Sequence, residues 1–438
     1  VSQFDLRTIW RRIDRPGQQH SWVIGAGLAA SAAAGLTAAL SSAKPPSFLY
    51  LAILALALGL GALLVTPSAP GLARAMRQLM PGAAGVRTSG PFAVDSFNTE
   101  LVPPAGAFAP IGARIWYPAG SGRAPLASAA AHCPEAAHAR RLPAAQTRFP
   151  ILFYAPGNCN GRDDNASACA SLASHGYVII AIDDIDCDLP QRDGPGSAAS
   201  RQPLVFDFSS NEAFEKTLRE ADRKVQLEAQ KALAALAGLR AAAVREWQER
   251  LDFDHVGFFG FSIGGAAAAE AGVIDKRVVA VANLDGWLFG RAAKGALEKP
   301  FMVMNSDFPI PDARQLCSPS ARKRNEAALT QRSLRELLRL ASGRDGYWVW
   351  VKGSRHEGYC DRIFEKRFFM SWVLLDPARM RRIRDAYLLA FFDRYVRGIE
   401  SPLLRRSPSP FAEAELLEDS MRRFGGIIEF QSKSLGHK

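Results

Sequence analysis

Cysteine spacing suited to metals or redox chemistry is the first thing this chain lacks. Its six cysteines, Cys133, Cys159, Cys169, Cys187, Cys317 and Cys360, include no C-x-x-C pair. A zinc site is therefore not expected, and no metal or other cofactor is implied. An even cysteine count in long loops permits disulfides, and with them an oxidising compartment. Histidine is scarce too, with 7 in 438 residues, so any search for a general base has few places to look. There is no basic stripe with interleaved aromatics and no nucleic-acid-binding motif. The net charge of +11 therefore does not point to nucleic acid. A disordered signature is also missing. With 48% hydrophobic and 22% charged residues, the composition is that of a globular chain with a large core.

Long uncharged runs are present, at the N-terminal end. One covers residues 22–40 and a second, richer in Leu, covers 48–65. Each has about the length that spans a hydrocarbon core. Between them Ser41-Ser42-Ala43-Lys44-Pro45-Pro46-Ser47 suits a hairpin tip, because proline breaks helices. A secretory signal would show one apolar region with a cleavage site, not two runs in succession. Residues 1–66 are thus expected to hold a transmembrane hairpin. Arg7, Arg11, Arg12 and Arg15 precede it, Arg74, Arg77 and Arg87 follow it, and the tip carries only Lys44. The positive-inside rule then puts both ends, and the globular unit, on the cytoplasmic side of a membrane of the bacterial inner type. Were only the second run to span, that unit would lie outside. Residues 67–85 read as a Pro/Gly/Ala-rich linker, 86–398 as the globular domain, and 399–438, with Pro402, Pro408 and Pro410, as a peripheral tail.

Within the domain, short apolar runs alternate with helical patterns. Residues 112–118 and 150–154 read as strands, 166–175 as a helix and 177–182 as a strand. That β-loop-α-β succession implies a parallel sheet with right-handed crossovers. Residues 211–249 read as one long helix, since Phe214, Leu218, Ala221, Val225, Ala229, Ala232, Leu236 and Leu239 recur at steps of three and four. Later strands are expected at 278–284, 300–304 and 347–351. A basic helical insertion is expected at 311–342 and a closing helix at 380–397. The fold class is α/β: a mostly parallel sheet with helices on both faces, preceded by the two membrane helices.

One stretch organises the rest. Val256-Gly257-Phe258-Phe259-Gly260-Phe261-Ser262-Ile263-Gly264-Gly265 reads as a buried strand turning sharply into an Ala-rich helix. Gly260, Ser262 and Gly264 fit G-x-S-x-G, the strained turn that lifts a serine hydroxyl above a sheet. Glycine on each side removes the Cβ clashes such a turn would cause. A serine nucleophile needs a base, and the base needs an acid to hold its tautomer. In this architecture they follow in the order Ser, acid, His, each after a strand. Of the histidines, only His356 comes after a late strand. The acid is Asp285, after the first strand beyond the turn, or Asp307, after the second. Two backbone donors should receive the oxyanion: the N–H of Ile263, directly after the serine, and that of Asn158, in the loop after the 150–154 strand. Asp184 and Asp186 follow a strand but precede the serine, and are expected to line the crevice or cap a turn.

These residues also carry a resemblance. Phe149-Pro150-Ile151-Leu152-Phe153, Ala173-Ser174-His175-Gly176-Tyr177-Val178, Gly260-Phe261-Ser262-Ile263-Gly264-Gly265, Leu284-Asp285-Gly286-Trp287, Pro300-Phe301-Met302-Val303-Met304-Asn305-Ser306 and Lys352-Gly353-Ser354-Arg355-His356 are similar, in order, to platelet-activating-factor acetylhydrolase-like α/β-hydrolases. The resemblance spans about residues 86–398. It implies the α/β-hydrolase fold, Ser262 as nucleophile, Asp285 as acid, His356 as base, Asn158 and Ile263 as oxyanion donors, and no metal. The chain departs from that pattern at Phe261, where the family usually has His. It departs again at Ala155-Pro156-Gly157, where a Ser-His-Gly loop is usual, and at Asp184, in place of a histidine. The expectation is a membrane-anchored serine hydrolase acting on a lipid or small ester, with the membrane and the ester as its partners. A cutinase- or polyester-type hydrolase, or a hydrolase-fold binding module without catalysis, are the other readings.

Overall fold

Short, mostly apolar and mostly buried strands make the spine of the sheet. The computed structural model describes residues 88–104, 108–120, 142–144, 146–184, 204–243, 245–361, 375–405 and 408–416. The chain divides after Gly85, and the unit Val86–Lys438 holds every described residue. The two N-terminal apolar runs and the linker lie outside the described residues. Among those that are described, no helix is long and apolar enough to cross a membrane.

The elements run β1 (Ala93–Leu101), β2 (Ile111–Ala119), β3 (Phe149–Ala155), α1 (Ala166–Ser174), β4 (Val178–Ile182), α2 (Asn211–Ala242), α3 (Arg245–Arg250), β5 (Leu251–Phe261), α4 (Ile263–Ile274), β6 (Val278–Leu284), β7 (Phe301–Asn305), α5 (Ala313–Leu316), α6 (Ala321–Ala341), β8 (Gly346–Val351), α7 (Pro377–Arg397) and β9 (Ala414–Leu416). The sheet order is β1-β2-β4-β3-β5-β6-β7-β8-β9. From β4 to β8 every pairing is parallel. The edges are antiparallel, where β2 joins β4 and β1, and where β9 joins β8.

Strand periodicity explains why both faces are covered. Successive side chains point to opposite faces. In β3, Phe149, Ile151, Phe153 and Ala155 enter one core while Leu152 and Tyr154 enter the other. Helices α2, α3, α4 and α6 pack on the first face, and α1 and α7 on the second. Strands buried on both sides read as continuous apolar runs, as parallel sheets require.

Three differences from the sequence reading have physical causes. Strand β1 has no unbroken apolar run, because it is a partly exposed edge strand whose Asp95, Ser96 and Asn98 are not buried. The helix expected over 211–249 ends at Ala242, with Ala243 in an extended conformation. The chain resumes in α3, which buries Trp247. The segment after Gly398 is not wholly peripheral, for β9 pairs Ala414 with Val351 and Leu416 with Val349. Three residues are too few to leave a periodic pattern, so the strand is visible only through its partner.

Candidate active site

Strand β5 lies inside the sheet, between β3 and β6. Its carboxyl end is therefore flanked by the loops that follow its neighbours. In open α/β sheets this edge is where ligands bind. Ser262 sits there between β5 and α4, half-buried, with φ 55° and ψ −124°. Glycine is obligatory around it. A Cβ on Gly260 would lie 2.2 Å from the Gly264 carbonyl oxygen, and one on Gly264 would lie 2.2 Å from that of Ala155. The turn thus presses the start of α4 against both β5 and the end of β3.

Only three non-glycine residues among those described have positive φ: Cys159, Ser262 and Asp285. All three follow parallel strands at the same edge. Such backbone strain, of order 1–3 kcal/mol each, persists where the surroundings over-determine it. Its concentration here makes this edge the candidate functional one.

The three side chains meet in a relay. His356, after β8, places Nε2 3.0 Å from Ser262 Oγ. Its Nδ1 lies 2.7 Å from Asp285 Oδ2. Asp285, directly after β6, is held from the far side. Ser306 N donates to its Oδ1 at 2.7 Å, Asn305 Nδ2 to the same oxygen at 3.1 Å, and Ser306 Oγ to Oδ2 at 2.8 Å. Burial would raise the Asp285 pKa, but the bonds from His356 and Ser306 outweigh it and hold the carboxyl below its ordinary value. For His356 burial acts downward, yet the Asp285 carboxylate prevails and raises the imidazole pKa above its usual value. Phe261 lies against the imidazole, with ring centroids 4.7 Å apart, where the resembled family usually has His.

Asp307 takes another part. Its carboxylate accepts from Trp350 Nε1 at 3.3 Å and from Gly353 N at 3.0 Å, bracing the turn after β8. The remaining described histidines stand apart from the relay. His175 bonds Ser89, and exposed His255 faces Asp252. His20, His132, His138 and His437 lie outside the described residues. Asn158 follows β3 and Ile263 opens α4. The Asn158 side chain donates to Leu204 O at 2.9 Å, and its backbone N–H donates to nothing among the described residues. Asp184 braces a turn, accepting from Cys159 N at 2.6 Å; Asp186 lies outside the described residues. Cys159 is disulfide-bonded, whereas Cys169, Cys317 and Cys360 form no disulfide. No group of His, Cys, Asp and Glu among the described residues could hold a metal ion.

Ser306 and Asn305 are the residues that sequence reasoning missed. They were visible as the polar end of an apolar strand, but nothing local tied them to Asp285. Chemically, an imidazole between a hydroxyl and a carboxylate can take the hydroxyl proton while the carboxylate stabilises the resulting cation.

Known proteins resemble this chain in sequence and in fold. Residues 125–324 match the family model described as platelet-activating factor acetylhydrolase, isoform II. A curated relative, the platelet-activating factor acetylhydrolase of Cavia porcellus, is 20% identical over 271 residues, covering 57% of this chain and 58% of its own. The chain thus spans a little over half the length of that relative. Among solved structures, a ferulic acid esterase from Streptomyces cinnamoneus superposes with a TM-score of 0.51 at 22% identity, over 76% of this chain and 98% of the esterase. The fold is that of the α/β-hydrolases.

Proposed function

We propose that this chain is a carboxylic ester hydrolase of the serine type, anchored to a membrane through its N-terminal segment. The hydrogen-bonded relay from Ser262 through His356 to Asp285 carries the reading, and the acetylhydrolase similarity supports it. Ser262 Oγ attacks the ester carbonyl while His356 Nε2 takes its proton. The negative charge on the carbonyl oxygen is received by the N–H groups of Ile263 and Asn158. Collapse of the tetrahedral intermediate expels the alcohol, which takes the proton from His356. A water, deprotonated by the same imidazole, then attacks the acyl-serine; the C–Oγ bond breaks, Ser262 Oγ takes the proton back from His356, and the carboxylic acid leaves. Asp285 stays ionised throughout and holds the imidazole with Nδ1 protonated.

The substrate class that suits this reading is a lipid or small ester. The disulfide at Cys159 favours an oxidising compartment. This outweighs the arginine bias, so we place the catalytic unit outside the cytoplasm, with the second apolar run alone spanning. That placement also suits a second substrate reading, a polyester of the cutinase type, which is met outside the cell.

Ser262→Ala tests the central claim. It should abolish both turnover of p-nitrophenyl esters and labelling by a fluorophosphonate. Labelling that persists in the variant would sink the reading. A panel of short- and long-chain esters sorts the substrate class, and no hydrolysis of any ester would favour a binding module.

A further inference from the structure

Charged residues beside the relay take no part in the chemistry above, and they converge on one loop. This loop, residues 156–162, carries Asn158. Its Cys159 stands at φ 55°, a conformation that a residue with a Cβ keeps only under constraint. Besides the disulfide at Cys159, the constraint comes from two aspartates directly after β4. Asp184 Oδ2 accepts from Cys159 N at 2.6 Å, and Asp184 N donates to Asn160 O at 3.2 Å. Asp183 Oδ1 accepts from Arg162 N at 2.9 Å, and its other oxygen pairs with the Arg162 guanidinium at 2.9 Å. Helix α2 fixes both from behind. Lys224 Nζ donates to Asp184 Oδ1 and lies 3.7 Å from Glu228 Oε1, while Lys231 Nζ donates to Asp183 O at 2.6 Å. On the other side of Asn158, Asp164 Oδ2 accepts from Gly157 N at 3.3 Å, and Tyr154 OH donates to Oδ1 of the same carboxylate.

The arrangement is a costly way to gain stability. The Lys224 and Asp184 side chains are 1% and 2% exposed, and a buried ion pair commonly does no better than apolar residues of the same volume. It does give direction. A charged acceptor makes a short, strong bond to a backbone N–H. Here the N–H of residue 159 is taken at 2.6 Å by the buried Asp184 carboxylate, and that of residue 157 at 3.3 Å by the side chain of Asp164, whose pKa burial pushes up to about 7. The N–H of Asn158, between them, is the one left for a ligand.

We infer that Asp184, locked by Lys224 and assisted by Asp183 and Asp164, is a positioning residue that aims the Asn158 N–H at the oxyanion. The inference rests on the serine-hydrolase reading and names the part of the site that Asp184 serves. Its contribution falls on the transition state and not on ester binding, so its loss lowers kcat and leaves KM in place.

Two double variants test it, with p-nitrophenyl acetate as substrate and thermal unfolding as the check on folding. Asp184→Leu with Lys224→Met removes both charges and the acceptor; kcat should fall about 100-fold with KM within about threefold. Asp184→Asn with Lys224→Met removes the charges but keeps an oxygen for Cys159 N; kcat should return to within about tenfold of wild type. A wild-type kcat in the first variant overturns the inference, and so does an equal loss in both. Should the leucine variant fail to fold, Asp183→Ala decides, because that side chain is 22% exposed. About a tenfold fall in kcat at constant KM supports the inference, and an unchanged kcat overturns it. Ser262→Ala runs alongside. If it is inactive while the Asp184 variants are normal, only the positioning role fails; if it is active, the serine-hydrolase reading itself fails.

Discussion

Replacing Asp285 by Asn tests the relay at its most specific point. In the native site Oδ1 accepts from Ser306 N and Asn305 Nδ2, both of which can only donate. The amide oxygen of an introduced Asn must therefore take the Oδ1 position, or two donors would meet a third. Its NH2 group then lies where Oδ2 was, facing His356 Nδ1, while Ser306 Oγ can turn to accept. An NH2 group facing Nδ1 selects the tautomer with Nδ1 bare and Nε2 protonated. That proton points at Ser262 Oγ, 3.0 Å away, so the imidazole can no longer remove the serine proton. The expected loss in kcat is about 10⁴-fold, or about 5.5 kcal/mol, with KM little changed. The pH profile adds a second readout. His356 must be neutral to act, so kcat/KM rises with pH through the imidazole pKa, which Asp285 holds above its ordinary value. Asp285→Asn removes that charge, and the residual activity should turn on at lower pH than in the wild type. Asp307→Asn is the control. Its carboxylate braces Trp350 and Gly353, and kcat should stay within about tenfold. Hydrolysis of p-nitrophenyl acetate from pH 5 to 9 measures all three proteins. Wild-type activity in Asp285→Asn, or a larger loss in Asp307→Asn, would refute the argument.

Other outcomes follow from packing and redox state. Arg384 is buried and donates to Asn165 Oδ1 at 2.5 Å, Ser167 Oγ at 2.8 Å and Asp385 Oδ1 at 2.9 Å. Arg384→Met removes the guanidinium that pairs with Asp385 and should cost about 3–5 kcal/mol in urea unfolding; a change under about 1 kcal/mol would contradict the buried network. Gly264→Ala brings a Cβ to 2.2 Å from Ala155 O and 2.3 Å from Pro156 O, a clash with the backbone at the end of β3. It should destabilise by more than about 4 kcal/mol and give little soluble protein, and a normal unfolding midpoint would show that the turn is looser than described. In the denatured chain, Cys169, Cys317 and Cys360 should react with maleimide before reduction, and Cys159 only after it. Labelling of Cys159 without reductant would remove the argument for an exported unit.

What could be read from the sequence, and what could not, divides along the range of the interactions. The turn at Ser262 was legible because its demand is local. A strained serine needs glycine at fixed offsets, and Gly260 and Gly264 sit where a Cβ would strike backbone. The parallel strands were legible for the same reason, since burial on both faces leaves an unbroken apolar run. The choice between Asp285 and Asp307 was not local. Both follow a strand, and both satisfy any rule about strand ends. The decision lies in backbone geometry: Asp285 turns at φ 57°, and Asp285 N donates to Met304 O at 2.8 Å on the neighbouring strand. Two residues past β7, the Asp307 carboxylate takes up Trp350 and Gly353 instead.

The ionic lock under the Asn158 loop was less legible still. In α2 the apolar positions at steps of three and four include Ala221, Val225 and Ala229, and omit Lys224 and Glu228. A lysine four residues before a glutamate has the spacing of an ordinary surface pair. Lys224 is nevertheless 1% exposed, because Asp184 arrives from 40 residues upstream to receive it. An amphipathic pattern records which face of a helix is apolar. It does not record a charge on the buried face whose partner comes from another element. Where the pattern omits a residue that the fold then buries, the partner was selected by something other than hydrophobicity. Here that partner holds the backbone beside Asn158. A sequence rule for such a device would have to pair the strand-end aspartate with the helix lysine across the intervening chain, which no periodicity within either element supplies.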